Sequence, residues 1–192
     1  MTRSRMAASK MHRLTRITPP AVRPLSLDEA RDHLRVTQNA EDALISMLIE
    51  TAEAWLDGWR GVLGMALEPQ TWELSLDRFP AGAFCIPLGP VVSVTSVSYV
   101  DAEGAEQVLA PAEYEADGER VRPVGGWPST GPTMGAVKIR FVAGEGTPEN
   151  IKHVVRLLIG HWYTNRESVG DRLEAMPMGV NMLIDTVRVV RI

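Results

Sequence analysis

The hydrophobic pattern of this 192-residue chain changes period twice, and that constrains its fold more than any other feature. Over residues 41–59 apolar side chains recur every three or four positions. Leu44, Ile45, Leu48, Ile49, Ala52, Trp55, Leu56 and Trp59 line one helical face, while Glu41, Ser46, Glu50, Glu53 and Asp57 take the other. From Gln70 the period becomes two. Trp72, Leu74 and Leu76 share a face, Val91–Val100 is a long strand, and Val137, Ile139 and Phe141 alternate with Lys138 and Arg140. After Thr147 and Pro148, a helix-opening pair, the helical period returns in Ile151, Val154, Val155, Leu158, Ile159, Trp162 and Tyr163. Helical segments followed by strands and then by helices predict an α+β fold. It would be a small helical bundle, two N-terminal and two C-terminal helices, with an inserted antiparallel β lobe.

Local signals set the boundaries. Ser26 and Glu29 have capping-box spacing and open a short helix to about Leu34. Asn39 opens the second helix, with Glu41 and Asp42 in the first turn where the helix dipole favours anions. Gly58, Gly61 and Gly64 break it. Short strands at Phe84–Ile86, Gln107–Leu109, Tyr114–Ala116 and Arg120–Pro123 are joined by turns at Asp101–Gly104 and Asp117–Gly118, giving six or seven strands in all. Residues 124–135, rich in glycine and proline, read as a loop, and 178–187 as a final short helix. The predicted organisation is a basic, proline-closed arm over 1–24, helices over 25–68, the β lobe over 69–146, helices over 147–187 and a tail over 188–192.

Charge is distributed unevenly. Net charge is −4, yet residues 1–24 carry Arg3, Arg5, Lys10, Arg13, Arg16 and Arg23 and no acidic side chain, so an anionic body bears a cationic arm. Pro19, Pro20 and Pro24 make the end of that arm extended linker rather than helix. The arm is either solvated or touches an anion, nucleic acid or an acidic neighbouring subunit, and it has no aromatic residue for base stacking. The single cysteine, Cys85, cannot form an internal disulfide, so the fold needs no oxidising compartment and synthesis in a reducing cytosol is expected. No apolar run has the ~20 residues of a membrane helix, and the basic N-terminus lacks the apolar core of a secretory signal.

Motifs for chemistry are sparse. Gly58–Gly64 lacks the spacing and preceding strand of a phosphate loop, and in Gly144–Gly146 the central Glu145 would repel phosphate, so a tight strand-to-helix turn is expected there. Of His12, His33, His153 and His161, only the last two share a helix. They lie more than two turns apart, too far to hold one metal. Cys85 reads as a buried, inert thiol, and carboxylate pairs such as Glu50 and Glu53 as solvated helix faces. A non-enzymatic structural subunit with no catalytic residue, metal or cofactor is expected.

Several segments taken in order resemble a known family. They are Leu25–Val36 (LSLDEARDHLRV), Asp42–Ile45 with its helix, Gln70–Leu76 (QTWELSL), Pro90–Val100 (PVVSVTSVSYV), Arg140–Gly144 (RFVAG) and His161–Glu167 (HWYTNRE). The series is similar to the head–tail connector, or adaptor, proteins of long-tailed bacteriophages and phage-like gene transfer agents. The resemblance covers about Leu25 to Ile184. It implies a subunit of a ring, commonly of twelve copies, under the portal protein at the head–tail junction of a virion. The ring would extend the DNA channel, pass DNA without sequence specificity and support a stopper or tail-terminator protein. It also implies that the main helices build the ring and that the C-terminal segment reaches the portal, which makes Met178, Met182, Leu183, Val187, Arg188, Arg191 and Ile192 the portal-contact candidates. The arm before Leu25 has no counterpart in that pattern; Arg3, Arg5, Lys10, Arg13 and Arg16 are candidates for contact with DNA or a neighbouring copy. The alternatives are a DNA-binding accessory protein acting through that arm, and a small hydrolase with its site in the β lobe.

Overall fold

A computed structural model of the chain describes residues 13–165 and 178–187. The described chain forms two compact units. One comprises residues 13–18, 71–87 and 91–142; the other comprises 19–70, 88–90 and the described chain from 143 onward.

The second unit is the helical bundle. Helix α1 (Leu27–Leu34) starts at the predicted capping box: the Ser26 hydroxyl accepts from the Glu29 N–H at 3.2 Å, and the Glu29 carboxylate accepts from the Ser26 N–H at 2.9 Å. It ends on Arg35 in the left-handed conformation (φ 57°), whose N–H returns to the last turn. Arg31 then ties α1 to the start of the next helix. It donates to the Asp42 carboxylate at 2.7 Å through Nε, and through Nη2 to Asp42 and to Asn39. Helix α2 (Asp42–Leu56) follows a single 3-10 turn at Asn39–Glu41. It stops three residues short of the predicted Trp59 because Asp57 leaves the helix to serve the loop beyond. The buried Asp57 carboxylate accepts from the Leu67 N–H at 2.8 Å and the Gln70 amide at 2.9 Å.

Helices α3 (Glu149–Thr164) and α4 (Met178–Asp185) complete the bundle. Its core joins Leu25 and Ala30 to Ile45, Ile49, Ala52 and Leu56 of α2, Ile151, Val154, Val155, Leu158 and Ile159 of α3, and Val180 and Ile184 of α4. The apolar stripes read from the sequence are therefore spent on one another. At ~1.5–3 kcal/mol per fully buried aliphatic side chain, this burial is the main force holding the bundle.

The other unit is the β lobe, with eight strands among the described residues: β1 (Arg13–Thr18), β2 (Gln70–Leu76), β3 (Phe84–Cys85), β4 (Val91–Val100), β5 (Glu106–Val108), β6 (Tyr114–Asp117), β7 (Arg120–Pro123) and β8 (Val137–Ala143). One sheet has the order β1-β2-β8-β4-β5 and a second the order β3-β7-β6. β2 and β8 alternate as predicted, burying Trp72, Leu74, Leu76, Val137, Ile139 and Phe141. The 124–135 loop is anchored by Trp127, which stacks on Phe79 with centroids 4.5 Å apart and donates to the Gly82 carbonyl at 2.8 Å.

Two expectations are corrected here. The stretch Arg13–Thr18, read as part of an extended linking arm, is strand β1, paired antiparallel with β2. Thr15, Ile17 and Thr18 are β-branched and favour a pleated strand, and the prolines that follow end the strand rather than prevent it. Cys85, expected to be buried, is exposed, because in the two-residue β3 it is Phe84 that takes the core side.

Candidate assembly surfaces

The turn that suggested a weak anion site is already satisfied internally. The Glu68 carboxylate accepts from the Thr147 N–H at 3.0 Å and its hydroxyl at 2.7 Å, just ahead of α3. The Gly146 N–H goes to the Leu67 carbonyl and the Gly144 N–H to the Pro90 carbonyl. This is the tight strand-to-helix turn that the glycines predicted. His33 is held below the ordinary imidazole range by burial first and then by the neighbouring Arg156 charge. Among the described residues no cluster of His, Cys, Asp and Glu has the arrangement of a metal site. A shallow depression on the five-stranded sheet is lined by Glu73, Ser96, Ser98, Glu106, Val108, Lys138 and Arg140. Its charges neutralise one another: Arg140 pairs with Glu73 at 2.9 Å and Lys138 with Glu106 at 3.7 Å.

The functional interest therefore lies in exposed surface. On α4, Val180 and Ile184 are buried in the bundle and Leu183 is half-buried against the same core, as is Val187 just beyond the helix. Met182 faces outward, 71% exposed. Met178 begins the helix, while Arg188, Arg191 and Ile192 lie outside the described residues. The contact candidates are thus divided: Leu183 and Val187 pack on the bundle core, and Met182 is exposed to solvent.

Of the arm candidates, Arg3, Arg5 and Lys10 lie outside the described residues. Arg13 and Arg16 sit on β1, an edge of the five-stranded sheet. The register pairs Leu14 with Leu74 and Arg16 with Trp72, placing these on the side of the buried residues, and pairs Thr15 with Glu73 on the other side. The Arg16 guanidinium lies 5.5 Å from the Trp72 ring centroid, a cation–π contact between the paired residues of β1 and β2.

The opposite edge is acidic. β5 pairs antiparallel with β4 through a hairpin carrying Asp101, Glu103 and Glu106 and no basic residue. Asp101 organises the turn, accepting from the Ala105 N–H at 2.8 Å, the Glu103 N–H at 3.1 Å and the Gln107 amide at 2.9 Å. The Gln107 hydrogen bond first, and then the Ala105 N–H, hold its carboxyl below the usual range, so it stays charged. Val108, beside these carboxylates, is 69% exposed. Sequence reading found the hairpin but not the polarity of the sheet, because it assigned the basic residues to a linker. The β-branched density of 13–18 was the signal that could have found it.

No family model and no curated protein matches the chain. Solved structures do. A chain from the virion of a native gene transfer agent particle is 31% identical, with 93% of this chain and 96% of that one covered and a TM-score of 0.75. A chain from the neck of an empty gene transfer agent particle, computed with C6 symmetry, is 30% identical over 94% and 97% of the two chains, with a TM-score of 0.74. A third, from the neck of a native particle computed with C12 symmetry, is 29% identical over the same shares, with a TM-score of 0.69. The α+β fold is shared with components of gene transfer agent particles, and the class these likenesses define is a structural component of a phage-like neck. With this identity over nearly the full length of both chains, the protein belongs to the family of gene transfer agent neck proteins to which these chains belong.

Proposed function

We propose that the chain is a structural connector subunit in the neck of a phage-like particle. It forms a ring beneath the portal, extends the DNA channel and offers a platform for a stopper or tail protein. The observation that carries this reading is the full-length likeness, at about 30% identity, to chains of gene transfer agent necks computed with C6 and C12 symmetry. Twelve copies follow from the second symmetry as the proposed number. A closed ring requires two different, mutually complementary faces on each copy, and the lobe has a basic and an acidic edge on opposite sides of one sheet. Met182 of α4, with the residues that follow Val187, is the proposed contact with the portal.

The competing DNA-binding reading relies on the same basic residues, but two of them, Arg13 and Arg16, belong to a sheet strand rather than a free arm. The test is to purify the chain with the portal protein of the same particle and examine the mixture by size and negative-stain imaging. A ring seated on the portal is expected. Components that remain separate, together with absence of the chain from purified particles, would refute the reading.

A further inference from the structure

We infer that the β1 edge of one copy adds to the β5 edge of the next, so that the five-stranded sheet continues from subunit to subunit. This rests on the ring reading above and specifies which surfaces close it. The two strands are the opposite edges of one sheet. Edge strands carry backbone N–H and C=O groups that seek partners, and β5 has a defined set of them. The Leu109 N–H donates to Val97 and the Asp101 N–H to Ala105, with Tyr99 paired to Gln107 between them. In an antiparallel ladder hydrogen-bonded and non-bonded pairs alternate, so Glu106 and Val108 point their backbone groups away from β4. Beyond them the edge closes: the Ala110 N–H donates to the Glu113 carboxylate at 2.7 Å and Pro111 has no N–H to offer. A three-residue window, Glu106–Val108, is left for an incoming strand.

Charge selects the occupant. A second β5 would bring the acidic 101–106 hairpin beside its own copy, and a second β1 would bring Arg13 and Arg16 beside theirs; like charges brought together across a strand pair destabilise it. Pairing β1 with β5 opposes arginine to carboxylate. That makes the contact head-to-tail, the type that generates rings rather than two-fold dimers. Lys138, 3.7 Å from Glu106, offsets part of this charge but leaves Asp101 and Glu103 on the hairpin. Thr15 and Val108 lie on the same outer face of the sheet, Thr15 opposite Glu73 and Val108 beside Arg140 in the shared depression. In a continued sheet they would stand near each other across the joint.

The test uses particles purified from cells that produce the chain. In a Cys85→Ser background, which removes the exposed natural thiol, Thr15→Cys and Val108→Cys are introduced singly and together, and particles are treated with a short bis-maleimide. A ladder of covalent multimers from the double variant, and none from either single variant, is the expected result. Particles that contain the double variant but give no ladder overturn the edge pairing and leave the ring reading standing. Dimers from a single variant overturn it in favour of a two-fold contact. Absence of the unsubstituted chain from particles removes the ring reading and this inference together. Should the cysteine variants not be incorporated, charge reversal decides. Arg13→Glu and Glu106→Arg are each expected to lower the copies per particle several-fold and to restore them when combined; a combined loss as large as the single losses overturns the pairing.

Discussion

Replacing Asp57 tests whether the end of α2 is set by a polar anchor rather than by helix propensity. Its carboxylate is buried, accepts from the Leu67 N–H at 2.8 Å, and reaches the Gln70 amide at 2.9 and 3.1 Å through its two oxygens. In Asp57→Ala those two donors lose their acceptor in a buried site, at about 1–3 kcal/mol each. Removing a negative charge from the C-terminal end of α2 returns only about 0.3–1 kcal/mol. Relaxation of the loop towards water recovers a further part, so the net expectation is a loss of about 3 kcal/mol. Asp57→Asn keeps one oxygen for Leu67, and a rotated Gln70 amide can accept from its new N–H, so the loss falls to about 1 kcal/mol. Urea unfolding followed by far-UV circular dichroism, which weights the helices, reads both. With a slope of about 2 kcal/mol per M, the Ala variant's midpoint drops by roughly 1.5 M and the Asn variant's by about a third of that. In a double-mutant cycle with Gln70→Ala the two losses should be less than additive by about 1 kcal/mol or more. Equal shifts for the Ala and Asn variants, or an Ala shift below about 0.5 kcal/mol, would show that the anchor does not determine the end of the helix.

Ser26→Ala removes half of the capping box and is expected to cost about 1 kcal/mol by the same urea assay. The Ser26 backbone N–H first, and then its hydroxyl, hold the Glu29 carboxyl below its ordinary value, so its contribution is present above the usual carboxylate range and lost as pH falls through the lowered one. Because Glu29 is 42% exposed, Glu29→Gln should flatten the acid side of the stability–pH curve by only a few tenths of a kcal/mol after screening, seen as a smaller midpoint change on acidification. Gly144→Ala forces a Cβ against the Glu68 carbonyl at a backbone φ of 102°, and loss of more than about 2 kcal/mol in chemical denaturation is expected. Trp127→Ala unties the 124–135 loop from Phe79 and Gly82; limited proteolysis should cut this loop first, at a protease dose that leaves the unsubstituted chain intact.

What could be read in advance was what periodicity records. Ile45, Ile49, Leu56, Val154, Leu158 and Ile159 were recognisable as core because a helix must bury a stripe, and Trp72, Leu74, Ile139 and Phe141 because a strand must bury alternate residues. The capping box was legible because its two partners are three residues apart. β1 was not, because its register is supplied by β2, more than fifty residues away, and its own six residues carry only two apolar side chains. The end of α2 was hidden for the same reason: Trp59 continues the apolar stripe, while the buried acceptor that stops the helix is defined only once Leu67 and Gln70 fold back to it. Cys85 shows the limit from the other side, since alternation over two residues cannot say which of them faces in.

The same partition bears on how a ring would be held. The family resemblance assigned the inter-subunit contacts to the long helices, yet the apolar faces of α2 and α3 are consumed within the bundle. What α2 leaves exposed, Ala43, Met47, Glu50, Thr51 and Ala54, is small, mixed in polarity and unlike the apolar surface of an obligate interface. Each copy also has a net charge of −4, so copies repel when brought together. On this balance the isolated chain should sediment as a monomer, and a ring should form where another surface collects the copies and the local concentration offsets the weak side contact. Under the proposed reading that surface is the portal. A stable ring of the purified chain alone at micromolar concentration would mean that the helices contribute far more to the joint than their exposed residues allow.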